Sequence, residues 1–422
     1  EDTRSASVCF VHPLHSLVVL RVDPGEGGHA FGKAASFCHG PALEPGDPCE
    51  FIGMDPKGRA VASKVQVQSV RMCNFPSHFP PRWRESFLEA IVLADNAMSV
   101  NTGVLCDAKG NVKALYAVTT FIQEEESERL GYGIPCQIMQ PLLEHFKIPK
   151  GLSAPFVVPS LEIGLEPVEL SRLARLPAKL RPPAAWVAKL SASSTTALQV
   201  RQVMAGGPCD GLACAGDLLV AVEGEVVTSC NVVERRLFEA MGKRPAEARG
   251  GTVAVQLVVL RQGKATSAVA HAQLLPSDGT TRFLCWHGLL LRETPRSVRE
   301  FGAVPGGVHI SQTLLGSPGE ADGVEGDILV AVNGVPTRTL DEVVGLAHDS
   351  TPCRGAASSS GEAPAKSAVP AQERRHLRVE TADSSGRRFM RPLEPDPLFW
   401  PLLELTQGPA GAWVCEEHRA DA

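Results

Sequence analysis

Nine residues near the middle of the chain, GDLLVAVEG at Gly216–Gly224, recur as GDILVAVNG at Gly326–Gly334. The two copies lie 110 residues apart and agree at seven of nine positions. An unbroken apolar run between a Gly-Asp pair and a turn-forming Glu-Gly or Asn-Gly pair is typical of a buried β-strand. Asn231 and Asp341 follow at the same offset, and each can cap a helix. The repeat therefore predicts two similar modules, each with a strand, a turn and a helix.

The sequence around the two copies extends the repeat and also distinguishes them. A turn of small residues precedes each copy, at 205–208 and 315–319. After the first copy, apolar alternation predicts a strand over 253–260. After the second copy, residues from about 351 to 374 are rich in Ser, Ala, Gly and Pro, which predicts a disordered insertion. The matching last strand is then expected at 376–381.

Upstream of the repeat, short apolar runs separated by Gly, Pro, Asp or Asn predict an antiparallel β barrel or sandwich. Asp107–Asn111 predicts a hairpin turn between two of these runs. Apolar residues at helical spacing over 135–146 predict a helix that closes the domain. The predicted strands cover 49–53, 61–70, 90–93, 104–106 and 112–121.

The composition excludes several classes of protein. Lys and Arg number 41 against 47 Asp and Glu, so the net charge of −6 provides no basic field for nucleic acid. No apolar run reaches the roughly 18 residues that span a bilayer, and no secretory leader opens the sequence. The sequence starts with Glu1, and apolar alternation begins almost at once at Val8. We therefore expect a fragment or processed form that begins inside a domain.

The twelve cysteines are scattered without a Cys-x-x-Cys pair. In a chain of this length, such scatter favours reduced thiols in an intracellular compartment, which is the cytoplasm, the nucleus or an organelle, over a disulfide scaffold. Cys9 and His12 are three residues apart, a spacing that could form half of a zinc site. No second half follows at a suitable spacing, so buried thiols are the favoured interpretation and no metal is expected.

The repeat and its capped helix resemble the PDZ domain of HtrA/Deg-type proteins, and Leu315–Ala321 is similar to the Gly-Ser-Pro-Ala turn of that family. Such domains bind a protein C-terminus or an extended segment as an added strand. The resemblance implies a peptide-binding loop in each module. In the second module this loop comprises Val304, Gly306, Gly307, Val308, His309 and Ile310, and in the first it comprises Ala197, Leu198, Gln199 and Val200.

Gly306 and Gly307 give this resemblance a chemical meaning. Glycines can direct backbone N–H groups towards a terminal carboxylate. The alternative is that both glycines serve only a turn. The corresponding loop of the first module lacks glycine, so carboxylate capture is less expected there.

Three stretches upstream resemble the trypsin-like domain that precedes the PDZ modules in this family. His12–Leu20 resembles the strand that carries the catalytic aspartate, Asp95–Gly110 resembles the nucleophile loop, and Gly131–Pro135 resembles the segment before the closing helix. From about residue 8 to 405, the chain is similar to the second, degenerate half of the large duplicated HtrA/Deg proteins.

Compared residue by residue with the family pattern, the sequence lacks the catalytic residues that this resemblance would place in it. Ser16 stands at the aspartate position and cannot stabilise an imidazolium, while Asn101 stands at the nucleophile position. Ser99 replaces a glycine of the oxyanion loop, which also includes Thr102 and Gly103. No catalytic residue is therefore predicted. A shifted nucleophile at Ser99 or Thr102 is the alternative.

Two further groups of polar residues have alternative interpretations. His12 and His15 flank Pro13 and are interpreted as structural rather than as a new acid–base pair. The acidic run Glu124–Glu126 with Glu128 is a solvated loop or, alternatively, a docking patch for basic partners.

The predicted fold class is mainly β with minor α: a partial trypsin-like double β-barrel followed by two PDZ-like domains. The domain boundaries follow from the motifs and the proline-rich stretches. They are 1–150 for the N-terminally incomplete protease-like domain, 151–188 for a linker, 189–278 and 279–405 for the two PDZ-like domains, and 406–422 for a tail.

The resemblance implies a catalytically inactive, regulatory and peptide-binding half of an HtrA/Deg-type serine protease, acting in intracellular proteolysis and protein quality control. It implies no cofactor. The expected partners are protein C-termini or extended segments, together with the active protease half or a second copy of the chain. Two alternatives stay open: an active serine endopeptidase with a non-standard nucleophile, and a plain tandem-PDZ adaptor.

Overall fold

In the computed structural model, the chain divides into two compact units, one made mainly of residues up to 278 and the other mainly of residues from 279 onwards. None of the helices in the described part of the chain is long and apolar enough to cross a membrane. The predicted insertion at 351–374 lies outside the described residues. The structure describes residues 5–15, 17–22, 34–37, 40–55, 57–74, 87–94, 102–123, 126–147, 155–244, 251–277, 280–295, 298–299, 306–320, 324–350, 376–383, 385–408 and 412–418.

The first unit opens with a two-stranded hairpin followed by a closed six-stranded barrel. The hairpin comprises β1 (Ala6–Val11) and β2 (Val18–Val22). The barrel has the strand order β3-β4-β5-β8-β7-β6, and the helix α1 (Cys136–Lys147) follows it. Its strands are β3 (Pro48–Met54), β4 (Ala60–Asn74), β5 (Phe87–Leu93), β6 (Thr102–Cys106), β7 (Val112–Gln123) and β8 (Glu126–Pro135). The prediction of a mainly β chain with a trypsin-like β-barrel is confirmed.

Local chemistry explains the turn between β6 and β7. The Asp107 carboxylate accepts hydrogen bonds from the backbone N–H groups of Lys109 and Asn111, each at 2.9 Å. Gly110 has φ +78°, a conformation that glycine adopts without steric cost. The predicted hairpin turn at 107–111 is confirmed.

The rest of the first unit is one sheet with three helices, which we call the first module. Its strand order is β10-β11-β12-β14-β15-β9, with β13 paired to β12. The strands are β9 (Val158–Ser160), β10 (Ile163–Glu169), β11 (Thr196–Val203), β12 (Leu218–Val222), β13 (Glu225–Val226), β14 (Thr252–Arg261) and β15 (Lys264–Leu275). The helices are α2 (Leu170–Ala174), α3 (Ala184–Ser191) and α4 (Cys230–Lys243).

The prediction of a linker over 151–188 was wrong for its described part, because β9, β10, α2 and the start of α3 lie there. Its prolines occupy positions that tolerate them. Pro159 and Pro167 lie in the strands at the two ends of the sheet, and Pro183 is the N-cap of α3. A proline-rich composition was therefore not a sign of missing structure.

The second unit contains a larger sheet, which we call the second module. Its strand order is β22-β21-β19-β18-β17-β16-β23-β24, with β20 paired to β19. The prediction of a tail over 406–422 was wrong for its described part, because β24 pairs with β23 along its full length. The elements are β16 (Arg282–Trp286), β17 (Leu289–Glu293), β18 (Val308–Thr313), β19 (Ile328–Val332), β20 (Val335–Pro336), α5 (Leu340–Ser350), β21 (Leu377–Ala382), β22 (Arg388–Leu393), β23 (Leu402–Gln407) and β24 (Trp413–His418).

The two copies of the repeat form the equivalent strands β12 and β19, each followed by a helix. The helix caps lie two residues before the predicted ones. The Ser229 hydroxyl accepts from the Val232 N–H at 3.4 Å at the start of α4. Before α5, Thr339 and Glu342 form a reciprocal capping box, with both contacts at 3.2 Å. Asn231 and Asp341 therefore lie inside the first turn of their helices.

Candidate functional site

The strands predicted to receive a peptide lie inside their sheets. β11 is paired with β10 and β12, and β18 is paired with β17 and β19. The side chains of Ala197, Leu198, Val200, Val308 and Ile310 are buried in the core. A segment cannot add to a strand whose two edges are already paired. Strand addition is therefore blocked at these residues, and their role in a peptide-binding loop stays a prediction.

Two polar residues of these strands contact other groups of the chain. His309 is buried, with its ring Nδ1 3.3 Å from Ser311 Oγ. The Gln199 amide donates to the Gly216 carbonyl at 3.2 Å. Both side chains therefore already contact the chain itself on the strands that were predicted to bind a peptide.

Gly306 and Gly307 precede β18 and have φ values of +146° and +141°, which favour glycine. The Gly307 carbonyl accepts from the backbone N–H and the hydroxyl of Thr294, at 2.9 and 2.8 Å. Both glycines line a cavity of about 850 Å³ whose walls include β19 and Arg388. Carboxylate capture by the backbone of Gly306 and Gly307 stays a prediction, and Val304 lies outside the described residues.

The terminal strand β10 has an outer edge with no strand partner among the described residues. Val200, which faces Leu165, uses its backbone N–H and carbonyl to bond Asp217 and Gly216 on its other side. In an antiparallel ladder this leaves the Leu165 backbone groups pointing away from β11. Because the Leu170 N–H donates to the Thr195 carbonyl at 2.9 Å, the preceding Glu169 also points its backbone groups outward.

Pro167 lies between these two residues and supports the same assignment. Proline lacks an N–H group, so within a sheet it occupies edge strands. Its partner in β11 is Leu198, and the alternation of the ladder turns the Pro167 nitrogen outward. The β10 edge therefore presents two N–H donors, at Leu165 and Glu169, separated by a proline.

The helix α4 packs on the same core as β10. Leu237 of α4 and Leu165 of β10 belong to one buried cluster, and the half-buried Ile163 and Val232 lie at its border. An edge strand beside a helix on a shared apolar core is the arrangement that receives an extended segment as an added strand.

The start of α4 is held by side chains from the barrel and the hairpin. The Glu89 carboxylate of β5 accepts from the Asn231 N–H at 3.1 Å. His15 Nε2 lies 3.0 and 2.9 Å from the two carboxylate oxygens of Glu234 in α4. Burial raises the pKa of Glu89 to about 7, and the neighbouring Glu234 adds to this increase.

His12 and His15 have structural partners. His12 is 1% exposed, and its Nδ1 accepts from the backbone N–H groups of Leu14 and His15 at 3.1 Å. His15 is also buried and contacts Glu234. The structural interpretation of both histidines is therefore supported over that of a new acid–base pair.

The positions that resemble catalytic ones are only partly covered by the described residues. Ser16, Ser99 and Asn101 lie outside the described residues. Thr102 and Gly103 belong to β6. A Cβ atom at Gly103 would lie 2.6 Å from the Phe51 ring and 2.5 Å from the Ile52 carbonyl, so packing alone requires glycine there.

The segment that was predicted to be an acidic loop is partly a β-strand. Glu126 and Glu128 lie in β8, paired with Gln123 and Phe121 of β7. Glu124 and Glu125 lie outside the described residues. Two of the four acidic residues therefore belong to a hairpin strand.

The second module holds a Ser–His contact inside its core. His309 and Ser311 are 1% and 4% exposed, so a substrate cannot reach them. Burial, with the nearby Arg292 charge, lowers the pKa of His309 to about 4, which makes it a weak base at neutral pH. In the described part of the chain, no three His, Cys, Asp or Glu side chains are arranged to hold a metal ion.

No family model matches the sequence. Over 432 aligned residues it is 25% identical to Protease Do-like 7 of Arabidopsis thaliana, covering 96% of this chain and 36% of that protein. Over 368 residues it is 24% identical to the pro-apoptotic serine protease NMA111 of Eremothecium gossypii, covering 83% and 35%. These matches support kinship with HtrA/Deg-type serine proteases.

The chain spans about a third of the length of these HtrA/Deg-type relatives. A PDZ domain-containing protein of Schizosaccharomyces pombe is 27% identical over 358 residues, covering 80% of this chain and 32% of that protein. Among solved structures, the HtrA-type protease AlgW with a tripeptide superposes with a TM-score of 0.37 at 17% identity. That superposition covers 64% of this chain and 77% of the AlgW chain.

Proposed function

We propose that this chain is a non-catalytic, peptide-recognising part of an HtrA/Deg-type serine protease, and that the outer edge of β10 receives the peptide. The unpaired β10 edge beside α4 carries this proposal. The peptide is a protein C-terminus or an extended segment, and the process is intracellular protein quality control. In this proposal both repeat modules are PDZ-like domains.

The recognition chemistry follows from the geometry of β10. The N–H groups of Leu165 and Glu169 and the carbonyl of Pro167 face outward and can bond the main chain of an added strand. Alternate side chains of that strand would then face the module, where Ile163 and Val232 offer half-buried apolar contact. Main-chain bonds supply affinity, and the apolar contact supplies preference for one side chain.

The non-catalytic part of the proposal rests on the sequence positions and on the histidines. Ser16 and Asn101 stand where the family places the catalytic aspartate and nucleophile. His12 and His15 are buried and hydrogen-bonded. Both observations concern this chain alone. Catalysis by the whole protein would belong to another part of it.

Peptide binding is tested by fluorescence anisotropy with fluorescein-labelled decapeptide pools that differ in the last residue. Glu169→Pro removes an outward N–H group at a residue whose φ of −62° already suits proline. We expect the affinity of this variant for the peptide to fall at least about tenfold, which corresponds to the loss of about one hydrogen bond. Glu169→Ala, the matched control, keeps the N–H group and should bind like the wild type. Equal affinity of all three proteins, or no binding by any pool, contradicts the proposal.

The rival enzyme function is tested with a fluorophosphonate probe, which labels activated serine nucleophiles. We expect no stoichiometric labelling of the full chain. Labelling mapped to Ser99 or Thr102 by mass spectrometry would replace the non-catalytic proposal with that of an endopeptidase using a shifted nucleophile.

A further inference from the structure

The strands β10 and β17 occupy equivalent positions in the two modules. Leu165 of β10 pairs with Val200, and Leu291 of β17 pairs with Ile310, which lies 110 residues after Val200, the repeat spacing. Both ladders carry a register shift immediately before this leucine. Ile310 also bonds Asp327 and Gly326 as Val200 bonds Asp217 and Gly216. Leu291 therefore turns its backbone groups away from β18, as Leu165 does from β11.

The two modules differ in the strand that precedes this position. In the first module, β9 pairs with β15 at the far end of the sheet and leaves the β10 edge without a strand partner in the described ranges. In the second module, β16 folds back as a hairpin and pairs with β17, with Leu284 opposite Leu291. The turn residues His287 and Gly288 have φ values of +48° and +81°, as a two-residue hairpin turn of type I′ requires.

The strand β16 lies along the edge of β17 that faces away from β18. Leu284 and Trp286 are 0% and 2% exposed and belong to the same buried cluster as Leu340 and Val343 of α5. An incoming segment would have to displace these two large side chains. The chain's own strand thus takes the position that an added peptide strand would occupy.

Charged contacts fix β16 in this position. Arg282 lies 2.7 Å from Asp341 in the first turn of α5 and 2.6 Å from Glu404 of β23. Glu404 also contacts His418 of β24 at 2.6 Å. The strands β23 and β24 extend the sheet beyond β16, so β16 is paired along both edges.

Resting on the proposed function, we infer that peptide recognition by strand addition is confined to the first module, and that the second module is closed to it by its own strand β16. The repeat therefore encodes two frameworks with different roles. The partner of the open edge is an extended main chain with an apolar side chain. The closed module presents no edge of this kind at β17.

Backbone hydrogen exchange of the full chain without peptide tests this inference independently of peptide binding. We expect the Leu291 amide, bonded to β16, to exchange at least about a hundredfold more slowly than the equivalent Leu165 amide. Equal rates at the two residues would overturn the inference. If the rates differ as expected and no peptide pool binds, the proposed function fails while the closed state of the second module stands.

A pair of arginine variants sharpens the test. Arg282→Gln removes the contacts to Asp341 and Glu404 and should raise the Leu291 exchange rate at least about fivefold. Arg388→Gln, the matched control, removes the exposed contact to Glu380 in the same unit and should leave that rate unchanged. An unchanged rate in the Arg282 variant would show that these contacts do not hold β16.

Discussion

His15 and Glu234 join the hairpin to the helix α4 through two contacts of 3.0 and 2.9 Å from one imidazole nitrogen. The residues are 219 positions apart in sequence and lie in the hairpin and in the first module. Their side chains are 6% and 20% exposed. The helix beside the proposed peptide edge is therefore anchored to the barrel region by a partly buried, charge-assisted contact.

Replacing His15 with Phe should lower the free energy of unfolding by about 1–3 kcal/mol, because Glu234 loses its buried donor. The ring volume is nearly kept, so the change reports the polar contact. Urea unfolding of the full chain measures it. His271→Phe, on an exposed face of β15, is the control and should change the free energy by less than about 0.5 kcal/mol. Equal effects of the two variants would remove the anchoring role of His15.

Glu89 should make the first unit less stable as pH rises. Its folded pKa of about 7 lies above its ordinary value, so the folded state binds the proton more tightly. The stabilisation is full below about pH 4.5 and is lost as pH rises through 7. The neighbours that modify this pKa are Glu234, which raises it, and His15 and the N–H groups of Asn231 and Cys230, which lower it.

The Glu89→Gln variant measures this dependence. Between pH 5 and 8, the free energy of unfolding of the variant should rise relative to wild type by about 3 kcal/mol at most. Unfolding at several pH values checks the slope. A difference between the two proteins that is constant over this range would show that Glu89 does not titrate there.

The second unit should respond to pH with the opposite sign. Burial lowers the pKa of His287 and of His309 to about 4. Folded values below the ordinary one give stability that is present above about pH 6.5 and lost as pH falls towards 4. In the His309→Asn variant, the loss of unfolding free energy between about pH 6.5 and 4 should be smaller by an amount of the order of 3 kcal/mol. The control variant His376→Asn, at an exposed histidine, should lose as much as the wild type. Acid unfolding of the full chain, monitored by the hydrogen exchange of amides in β18 and β19, decides between these outcomes.

Gly103 should be required for the barrel rather than for chemistry. A methyl group there would meet the fully buried Phe51 ring at 2.6 Å, so Gly103→Ala should cost at least about 2 kcal/mol of unfolding free energy. Gly242 in α4 has no atom within 4 Å of an added Cβ, and Gly242→Ala should stabilise by up to about 1 kcal/mol. Thermal unfolding compares the two variants. Full stability of the Gly103 variant would contradict the packing role.

Local features of the fold were predictable because their causes are local. The repeat predicted β12 and β19 and the helices after them, and the Asp107–Asn111 turn followed from residues that bond one another. The helix caps were placed two residues late, because Asn231 and Asp341 are good capping residues that lie inside the first turn. The linker was wrong because β9 pairs with β15, which lies more than 100 residues later in the sequence. The tail was wrong because β24 pairs with β23, and β23 is itself joined to the sheet by its distant pairing with β16.

The sheet edge that is open to a peptide depends on strand pairing in the same way. The glycines before β18 resemble a binding loop, but only the sheet order shows that β17 and β19 occupy both edges of β18. One signal for the open edge was present in the sequence. Pro167 interrupts an alternating apolar stretch, which marks an edge strand, whereas Leu289–Glu293 in the second module contains no proline.

The central claim is that the β10 edge receives an extended peptide. Its most direct test is amide hydrogen exchange of the full chain with and without a saturating concentration of the tightest-binding decapeptide. The claim predicts that the Leu165 and Glu169 amides become at least about tenfold more protected, while the Leu291 amide is unchanged. Binding of the peptide without added protection at Leu165 and Glu169, or with protection at another strand instead, would contradict it.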